Sequence, residues 1–570
     1  MEHGEMDRTK LIYTAQMKDK PDLVLKNVKV INVFTGEIIP GDIAVKDGII
    51  VGVGDYSADN ERDLEGRYVC PGFVNAHLHV ESSMVTPEEY VMEELKWGTT
   101  TLITDPHEFV NVAGIEAIKN ILAAAGRSPA NYYVMLPSCV PCTPFEHSGA
   151  VLEADDLAAF RDHPNVLGLG EMMNSVGVLA GDKKVIDKID SFSDMVIDGH
   201  FPRGTGRKLN AYVTAGIHTD HESISYDEAI EKLRTGMAVL VREGSASRNL
   251  DDIMRGIISE KVDISNLAFC TDDKHLADIR REGTIRHNIR KTIALGMDPV
   301  KAIQIGTINA ARIFGLKNIG AVGCGYRADI VVLDDLENMT IYDVYKDGVP
   351  VSEIKKPEKI YSDYMLDDVK NAYIDKEAFN VPVRKSYSVI GIINNQIMTK
   401  KLTMTHDEVM KGLADGSVRK IAVIERHNRT GNHAAAYITG YGLRHGAIGS
   451  TIAHDSHNIV VVGDNNDDML LVVNELKRIG GGYVVAENGK ISGRLPLSLC
   501  GLVSVETADE FIPELDSIID TVRNMGVNPE IDPFITLSFM ALPVIPELRI
   551  TDCGLFDVGS FGFVDQNDEI

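Results

Sequence analysis

The sequence has no excess of positive charge. It contains 57 Lys and Arg against 84 Asp and Glu, which gives a formal net charge of −27 at pH 7. A balance this acidic disfavours non-specific binding to nucleic acid and to anionic membranes. We therefore expect neither a nucleic-acid partner nor a membrane partner.

The sequence also lacks long apolar runs. No stretch approaches the roughly 20 consecutive apolar residues that a membrane-spanning helix needs. Residues 1–22 are polar and contain no apolar segment typical of a signal peptide. Cysteine is sparse, with seven residues in the chain, an odd number that suits a reducing compartment. These features predict a cytoplasmic protein.

What the chain does contain is typical of a globular protein. Hydrophobic residues make up 44% of the sequence and charged residues 25%, which excludes wholesale disorder, a collagen-like fibre and a coiled coil. A chain of 570 residues corresponds to about three or four domains, or fewer if one of them is a large barrel.

Two stretches rich in short strands flank a long middle segment. Residues 23–70 alternate apolar and polar positions and contain Thr-Gly, Pro-Gly and Asp-Gly turn signals. A similar pattern returns at residues 325–351. We predict that the two stretches, within residues 1–70 and 319–380, form one small β-sandwich into which the middle segment is inserted.

The middle segment, residues 71–318, has the rhythm of a (β/α)8 barrel. Apolar runs that end in polar residues alternate with amphipathic stretches such as 86–98, 112–126 and 226–236. Eight such runs occur, at 71–79, 99–105, 132–138, 166–171, 195–200, 215–221, 237–244 and 267–273. Residues 381–570 again mix strand-like and helical patterns, and we predict a separate α/β or α+β domain there.

Potential metal ligands stand where the predicted barrel strands end. His77 and His79 form a His-x-His at the end of the first strand, so both imidazoles face the same side. Active sites of this fold lie at the carboxyl ends of the strands. The other predicted strand ends carry Glu171, His200, His218, Asp220, His221, Asp272 and Asp273. Together these positions predict a metal centre at the mouth of the barrel.

The number of ligands favours two metal ions. Four imidazoles and two carboxylates exceed what one ion needs, and Glu171 could bridge two ions with one oxygen on each. Nitrogen and oxygen ligands without thiolate suit zinc, manganese or ferrous iron. Two such ions can hold a hydroxide and direct it at an electrophilic carbon. Asp272 would then accept the proton of that water.

These residues resemble a known family. The string that ends in His77 and His79, the strand-end ligands and the closing GYRADIVVL are similar to the amidohydrolase superfamily. A closer resemblance, to the adenine deaminase family, covers nearly the whole chain. It is carried by HLHVESSMVTP (77–87), TDPHE (104–108), GLGEMMN (168–174), DGH (198–200), TDHES (219–223), REGSA (242–246) and CTDD (270–273), and by RHNRTGNHAAAYITGYG (426–442), GAIGSTIAHDSHNIVVVG (446–463) and LSFMALPVIPELRIT (537–551) in the last third.

The resemblance implies hydrolytic deamination of adenine to hypoxanthine and ammonia, a step of purine salvage. It implies that His77, His79, Glu171 and Asp272 hold one ion and that Glu171, His200 and His221 hold the other. Mn²⁺ is the expected metal, with Fe²⁺ and Zn²⁺ as alternatives. Water would add to C6 of adenine while a carboxylic acid protonates N1. A homo-oligomer, a dimer or larger, is expected.

The sequence leaves several roles open. Glu108 is our candidate for protonating N1, with Glu81, Glu222 and Glu243 as rivals and His107 as a neighbour. The candidate substrate-binding residues are Glu81, Glu222, Arg242, Glu243 and Ser245, and of these Arg242, Glu243 and Ser245 could contact the purine edge. The family usually has small residues at two positions that are here Phe201 and His218, which puts the preferred base in doubt. His454, Asp455 and His457 could form a second metal site, cover the mouth of the barrel, or form a structural network.

Two other functions compete with a deaminase. A hydantoinase- or dihydroorotase-like enzyme would cleave a cyclic amide, but such enzymes commonly bridge their metals with a carboxylated lysine at the end of strand four. This chain has Glu171 there, and GLGEMMN contains no lysine. A non-catalytic scaffold would have lost ligands, and none of the expected ligands is missing.

Overall fold

The computed structural model describes residues 7–245, 247–366, 369, 372–394 and 396–564. After a first helix, α1 (Arg8–Ala15), the chain forms five short strands. They are β1 (Leu23–Asn32), β2 (Glu37–Lys46), β3 (Ile49–Gly54), β4 (Glu61–Asp63) and β5 (Tyr68–Pro71). β1 to β3 are joined by antiparallel pairing, as the turn signals between them predict.

Eight parallel strands follow and close into a barrel. They are β6 (Phe73–Leu78), β7 (Thr99–Thr104), β8 (Asn131–Leu136), β9 (Val166–Met172), β10 (Val196–Gly199), β11 (Thr219–Asp220), β12 (Ala238–Arg242) and β13 (Leu267–Cys270). The amide of His218 donates to the carbonyl of Ile197, 2.9 Å away, and so joins β10 to the start of β11. The amide of Asp272 donates to the carbonyl of His77 (3.1 Å) and closes the ring between β13 and β6. The predicted (β/α)8 barrel is confirmed.

Helices surround this barrel and bury its outer face. They are α2 (Pro87–Lys96), α3 (His107–Arg127), α4 (Ala154–Ala158), α5 (Ser175–Ala180), α6 (Lys183–Ser191), α7 (Gly206–Thr214), α8 (Tyr226–Arg234), α9 (Leu250–Ser259), α10 (Leu276–Glu282), α11 (Ile285–Ala294), α12 (Pro299–Gln304) and α13 (Ala310–Ile313). Among the described residues, α3 alone is long and apolar enough to cross a membrane, and 67% of its most apolar window is buried inside the protein. A buried helix of the barrel accounts for that composition.

The chain then returns to the first sheet. β14 (Ile330–Leu333), β15 (Ile341–Lys346) and β16 (Val349–Pro350) extend it, because β14 pairs with β5 in antiparallel register. Val30, Ile43, Ile330 and Val332 lie in one apolar cluster there. The two flanking stretches therefore form one β unit, and the barrel is inserted between its halves, as the sequence predicts.

The last third forms a mixed sheet with helices. Its strands are β17 (Ser386–Ile392), β18 (Thr399–Thr405), β19 (Val418–Ile424), β20 (His433–Thr439), β21 (Ala447–Ser450), β22 (Ile459–Gly463), β23 (Gly482–Glu487) and β24 (Lys490–Pro496). The helices are α14 (His406–Asp415), α15 (Asn466–Ile479), α16 (Ala508–Asn524) and α17 (Pro533–Phe539), and a small sheet of β25 (Leu548–Thr551), β26 (Gly554–Asp557) and β27 (Gly562–Phe563) ends the described chain. The predicted α+β character of this region is confirmed.

The C-terminal region packs directly on the mouth side of the barrel. The amide of Ser504 donates to the carbonyl of Met84 (2.8 Å), and the side chain of Asn458 donates to the carbonyl of His147 (2.8 Å). One continuous apolar cluster contains residues of both regions, including Val85 and Val503. The loops that follow the barrel strands are therefore covered by the C-terminal region.

Candidate metal centre and substrate cavity

Six predicted ligands meet at the carboxyl ends of the barrel strands. They come from five different strand ends, which the barrel brings to one rim. All are buried: His77, His79, Glu171, His200, His221 and Asp272. At least three combinations of them have ligand atoms close enough to share an ion.

Glu171 lies at the centre of this group, and its two oxygens face different neighbours. Oε2 is 2.6 Å from Nδ1 of His200 and 3.2 Å from Nε2 of His221. Oε1 is 3.3 Å from Nε2 of His79. A carboxylate placed in this way can offer one oxygen to each of two ions.

Asp272 closes the opposite side of the group. Its Oδ1 is 3.3 Å from Nε2 of His79 and 3.9 Å from Nε2 of His77. Its Oδ2 accepts a hydrogen bond from Nη1 of Arg242 at 2.8 Å. The backbone of Asp272 has a φ of 57°, in the left-handed region that few non-glycine residues adopt and that often occurs at functional sites. That conformation follows directly after β13 and places the carboxylate at the rim.

The hydrogen bonds of two imidazoles fit a cation between them. Nδ1 of His77 lies 2.7 Å from Oδ2 of Asp198, and Nδ1 of His79 lies 2.9 Å from the carbonyl oxygen of Asp105. Since each Nδ1 then carries the hydrogen, each Nε2 presents a lone pair. The two Nε2 atoms are only 3.1 Å apart, so that two lone pairs would face each other at close range. A shared cation resolves this contact, and a donor set of imidazoles and carboxylates suits a divalent metal.

The charges of the cluster lead to the same conclusion. Burial by itself raises the pKa of Glu171, but the imidazoles of His200 and His221 lower it well below its usual range. Burial lowers the pKa of His221, yet the hydrogen bond and charge of Glu171 raise it to about 10. The ionised carboxylates thus draw positive charge into the cluster, and divalent cations would supply that charge in place of protons.

A cavity of about 720 Å³ opens beside the ligands, between the mouth and the C-terminal region. Arg242, Glu222 and Ser245, three of the predicted substrate contacts, line it. Arg242 forms a bidentate ion pair with Glu222 and also donates a hydrogen bond to Asp272. The opposite wall comes from the C-terminal region, with Met398, Asp532 and Ile535. The volume is ample for a purine-sized ligand.

Glu243 does not reach this cavity, contrary to its predicted role at the purine edge. Its Oε1 lies 2.7 Å from Nζ of Lys291, and its Oε2 accepts from the amide of Leu250 at 3.4 Å. Successive side chains at the end of a strand point in opposite directions. Because Arg242 faces the cavity, Glu243 faces the surrounding helices.

Glu108 and Glu81 both lie beside the mouth. Glu108 is in the first turn of α3, and Glu81 begins a 3₁₀ turn, Glu81–Ser83. They line a second cavity of about 20 Å³ together with Asp273 and His454. Burial and the charge of Glu108 raise the pKa of Glu81 to about 8, whereas neighbouring imidazoles lower the pKa of Glu108 against the effect of burial.

The two departures from the family pattern lie away from the cavity. His218 is exposed and precedes β11, so its side chain is not part of the metal cluster. Phe201 is buried against the ring of Tyr212, with ring centroids 4.6 Å apart. Asp220, another strand-end residue, accepts hydrogen bonds from Lys232 and from the amide of Phe201.

Two residues that orient the ligands, Asp198 and Asp105, were not predicted as such, whereas His107 was predicted as a possible neighbour of the ligands. Asp198 holds His77, and Asp105 holds both His79, through its carbonyl, and the amide of Glu171, through its carboxylate (2.8 Å). Nδ1 of His107 lies 3.5 Å from Oε1 of Glu171. Alternation along β10 carried a usable signal for Asp198, since positions 198 and 200 face the same side of a strand.

The loop with His454, Asp455 and His457 covers the mouth from the C-terminal region. All three side chains are buried. His454 and His457 face Glu108, and Oδ1 of Asp455 lies 3.8 Å from Nε2 of His107. The C-terminal region therefore reaches the active-site mouth, which the sequence alone left undecided.

Comparison with known proteins agrees with this arrangement. The family model described as "Amidohydrolase family" matches residues 68–351, and "Adenine deaminase C-terminal domain" matches residues 396–562. An adenine deaminase of Desulfitobacterium hafniense (strain Y51) is 44% identical over 569 residues, which is 98% of this chain and 99% of that protein. Adenine deaminase 2 of Carboxydothermus hydrogenoformans is 44% identical over 564 residues, which is 97% of this chain and 98% of that protein.

Among solved structures, the similarity is weaker. A crystal structure of an adenine deaminase covers 58% of this chain and 99% of its own, with 18% identity and a TM-score of 0.46.

Proposed function

The chain belongs to the adenine deaminase family of the amidohydrolase superfamily, and we propose that it converts adenine and water into hypoxanthine and ammonia at the barrel mouth. The observation that carries this proposal is the convergence of six buried ligands beside a purine-sized cavity. The similarity to adenine deaminases over nearly the full chain supports adenine as the substrate.

We propose that the six ligands hold two divalent ions. His77, His79, Glu171 and Asp272 would hold one, and Glu171, His200 and His221 would hold the other. Bound divalent metals lower the pKa of water, so that it attacks an electrophilic carbon at neutral pH. The two differently facing oxygens of Glu171 support its role as the bridge.

The protein's own groups handle the protons. Asp272 is itself one of the ligands, and against the effect of burial the contact with His79 and the charge of Arg242 hold its pKa well below its usual range, so its carboxylate is placed to accept the proton of the attacking water.

Glu108 is the proposed donor to N1 of adenine, with Glu81 as the alternative; both line the small cavity, which shares His275 and Ile535 with the large one. Because neighbouring imidazoles lower the pKa of Glu108, its carboxylate must take up a proton before it can give one, whereas the pKa of Glu81 is raised to about 8. Each such proton transfer contributes about 10²–10⁴-fold to the rate.

Substrate contacts are assigned from the lining of the large cavity. Glu222, Arg242 and Ser245 are proposed to contact the purine edge, because all three line the cavity next to the ligands. Glu243 is not proposed for this role, because it faces Lys291 and does not line the cavity. Phe201 and His218 do not line the cavity, so they give no reason to expect a base other than adenine.

Finer assignments accompany the proposal. We propose Mn²⁺ as the working metal, a cytoplasmic location, a role in purine salvage and a homo-oligomeric assembly. The proposed limits of the units are 70/71, 318/319 and 380/381.

The test is ammonia release from adenine, with cytosine, guanine and adenosine as controls. The protein would be produced with added manganese and with iron excluded, and its metal content would be measured. We expect selective turnover of adenine by a protein that carries about two metal ions per chain.

No turnover of any of these substrates, in protein that carries two metals per chain, would overturn the proposal. Cleavage of a cyclic amide such as a hydantoin would instead point to the competing reaction. Glu171 at the position where such enzymes commonly use a carboxylated lysine argues against that outcome.

A further inference from the structure

Two histidines of the C-terminal region enclose the carboxylate of Glu108. Nδ1 of His454 is 3.3 Å from Oε1, and Nε2 of His457 is 3.7 Å from Oε2. The relative exposures are 2% for Glu108, 7% for His454 and 0% for His457. The only side-chain hydrogen bond to Glu108 among the described residues comes from Ser82, whose Oγ is 3.4 Å from Oε1. One imidazole thus faces each oxygen of the carboxylate.

The hydrogen bond that the His457 ring accepts determines which of its nitrogens carries the hydrogen. The amide of Ala453 donates to Nδ1 of His457 at 3.2 Å, so Nδ1 provides the lone pair and Nε2 carries the hydrogen. Nε2 has no hydrogen-bond partner among the described residues, and the nearest acceptor it faces is Oε2 of Glu108, 3.7 Å away. In this tautomer the N–H of His457 faces Oε2 of Glu108 across 3.7 Å, a polar contact longer than a hydrogen bond, and Nε2 has no lone pair to offer a metal.

Contacts on the side away from Glu108 hold the ring of His454 and the backbone of the loop in place. The ring of His454 stacks on that of Phe539, with centroids 4.5 Å apart and an angle of 27° between the planes. The backbone carbonyl of His457 accepts from the guanidinium of Arg426, which is itself buried. The side chain of Asn458 ties the same loop to the barrel by donating to the carbonyl of His147 (2.8 Å). The loop therefore has a fixed position relative to Glu108.

Resting on the proposed function, we infer that His454 and His457 are positioning residues that hold the carboxyl group of Glu108 for proton transfer to the substrate. The C-terminal region thereby completes the active site. Proton transfer in an enclosed site is sensitive to placement, and an error of about 1 Å can cost about 10²-fold in rate.

The first test replaces each histidine by asparagine and, separately, by glutamine, whose amide groups lie at different distances from the backbone. An Asn amide lies close to the position of Nδ1 of histidine, and a Gln amide lies close to that of Nε2. His454 meets Glu108 through Nδ1, and His457 meets it through Nε2. We therefore expect His454→Asn to retain more activity than His454→Gln, and His457→Gln to retain more than His457→Asn.

The leucine variants give the size of the effect. His454→Leu and His457→Leu should lower kcat by about 10–100-fold with KM for adenine changed only a few-fold. Thermal unfolding and metal content are measured alongside for every variant. Equal losses for Asn and Gln at both positions would overturn the inference, because a purely structural role does not depend on which ring nitrogen is replaced.

A double-mutant cycle then tests whether the histidines act through Glu108. In a Glu108→Gln background, His454→Leu should cause little further loss of kcat, because the group that it positions is already disabled. Losses that multiply would show independent effects and would contradict the inference.

Two further measurements separate this inference from the proposed function. A crystal structure of the His454→Leu, His457→Leu double variant should show a displaced Glu108 carboxylate, and an unmoved carboxylate overturns the inference whether or not adenine is the substrate. Loss of one metal ion per chain in His457→Leu would instead identify a third metal site and would also overturn it. Failure of the wild-type protein to deaminate adenine counts against the proposed function alone.

Discussion

The metal cluster and the pair of histidines around Glu108 are both buried groups of imidazoles and carboxylates, but they are assembled in different ways. The metal cluster uses five strand ends of one barrel, all within residues 77–272. The second group joins one helix turn of the barrel to a loop of the C-terminal region. The metal cluster thus depends on the repeated strand-helix units of one barrel, whereas the group around Glu108 depends on the packing of two regions against each other.

This difference decides what a substitution disturbs. In the metal cluster each side chain touches several others, so that removing one changes the charge balance of all. Around Glu108, each histidine touches one oxygen of a single carboxylate. We expect losses in the first group to be larger and to be accompanied by loss of metal.

The largest effect is expected for Glu171→Gln. The substitution removes the charge that pairs with His200 and His221 and replaces an oxygen with an amide nitrogen that cannot bridge two ions. Activity should fall by at least about 10³-fold, and metal occupancy should fall with it. Steady-state kinetics and elemental analysis measure both. A variant that keeps its activity and its metal would refute the bridging assignment.

A smaller loss is expected for Asp198→Asn. The carboxylate of Asp198 fixes the tautomer of His77 by accepting from Nδ1, but it touches the metal position only through that ring. Removing such a partner typically lowers metal affinity or activity by about 10–100-fold. Metal titration of the metal-free protein should show weaker binding, restored by higher metal concentration. Unchanged affinity would mean that the orientation of His77 is set by other contacts.

The comparison also explains what the sequence could predict. The barrel and its six ligands follow from local patterns: apolar runs, and polar residues that stand where each run ends. Asp198 could have been predicted in the same way, from its spacing from His200. The side chain of Glu243 could likewise have been placed on the face opposite to that of Arg242. The contact of His454 with Glu108 had no such signal, because it depends on how two regions dock and on a loop conformation that no periodicity encodes.

A third prediction concerns pH and the docking loop. Burial lowers the pKa of His454, but the charges of Glu108, Asp273 and Asp455 raise it to about 9. Its folded pKa thus lies above the ordinary value of 6.5. The stabilisation of the folded protein by protonated His454 is therefore fully present below about pH 6.5 and is lost as the pH rises through about 9.

Thermal unfolding at pH 6 and at about pH 9.5 tests this dependence. Wild type should exceed His454→Asn in stability by up to about 3 kcal/mol at the lower pH, and the gap should shrink at the higher pH. The uncharged neighbouring ring of His457 is unchanged in both proteins and does not contribute to the difference. A gap that stays constant or widens with pH would show that His454 is not charged in the folded protein.

The smallest effect is expected for His218→Ala, although His218 is only three residues from a metal ligand. Its side chain is exposed before β11, whereas that of His221 is buried against Glu171. We expect kcat/KM within about twofold of wild type and a free energy of unfolding within about 0.5 kcal/mol, since exposed substitutions away from such contacts cost little. The matched variant His221→Ala should lose metal and activity. If His218→Ala were equally damaging, proximity in the sequence and not placement at the strand end would decide function, and the comparison drawn above would fail.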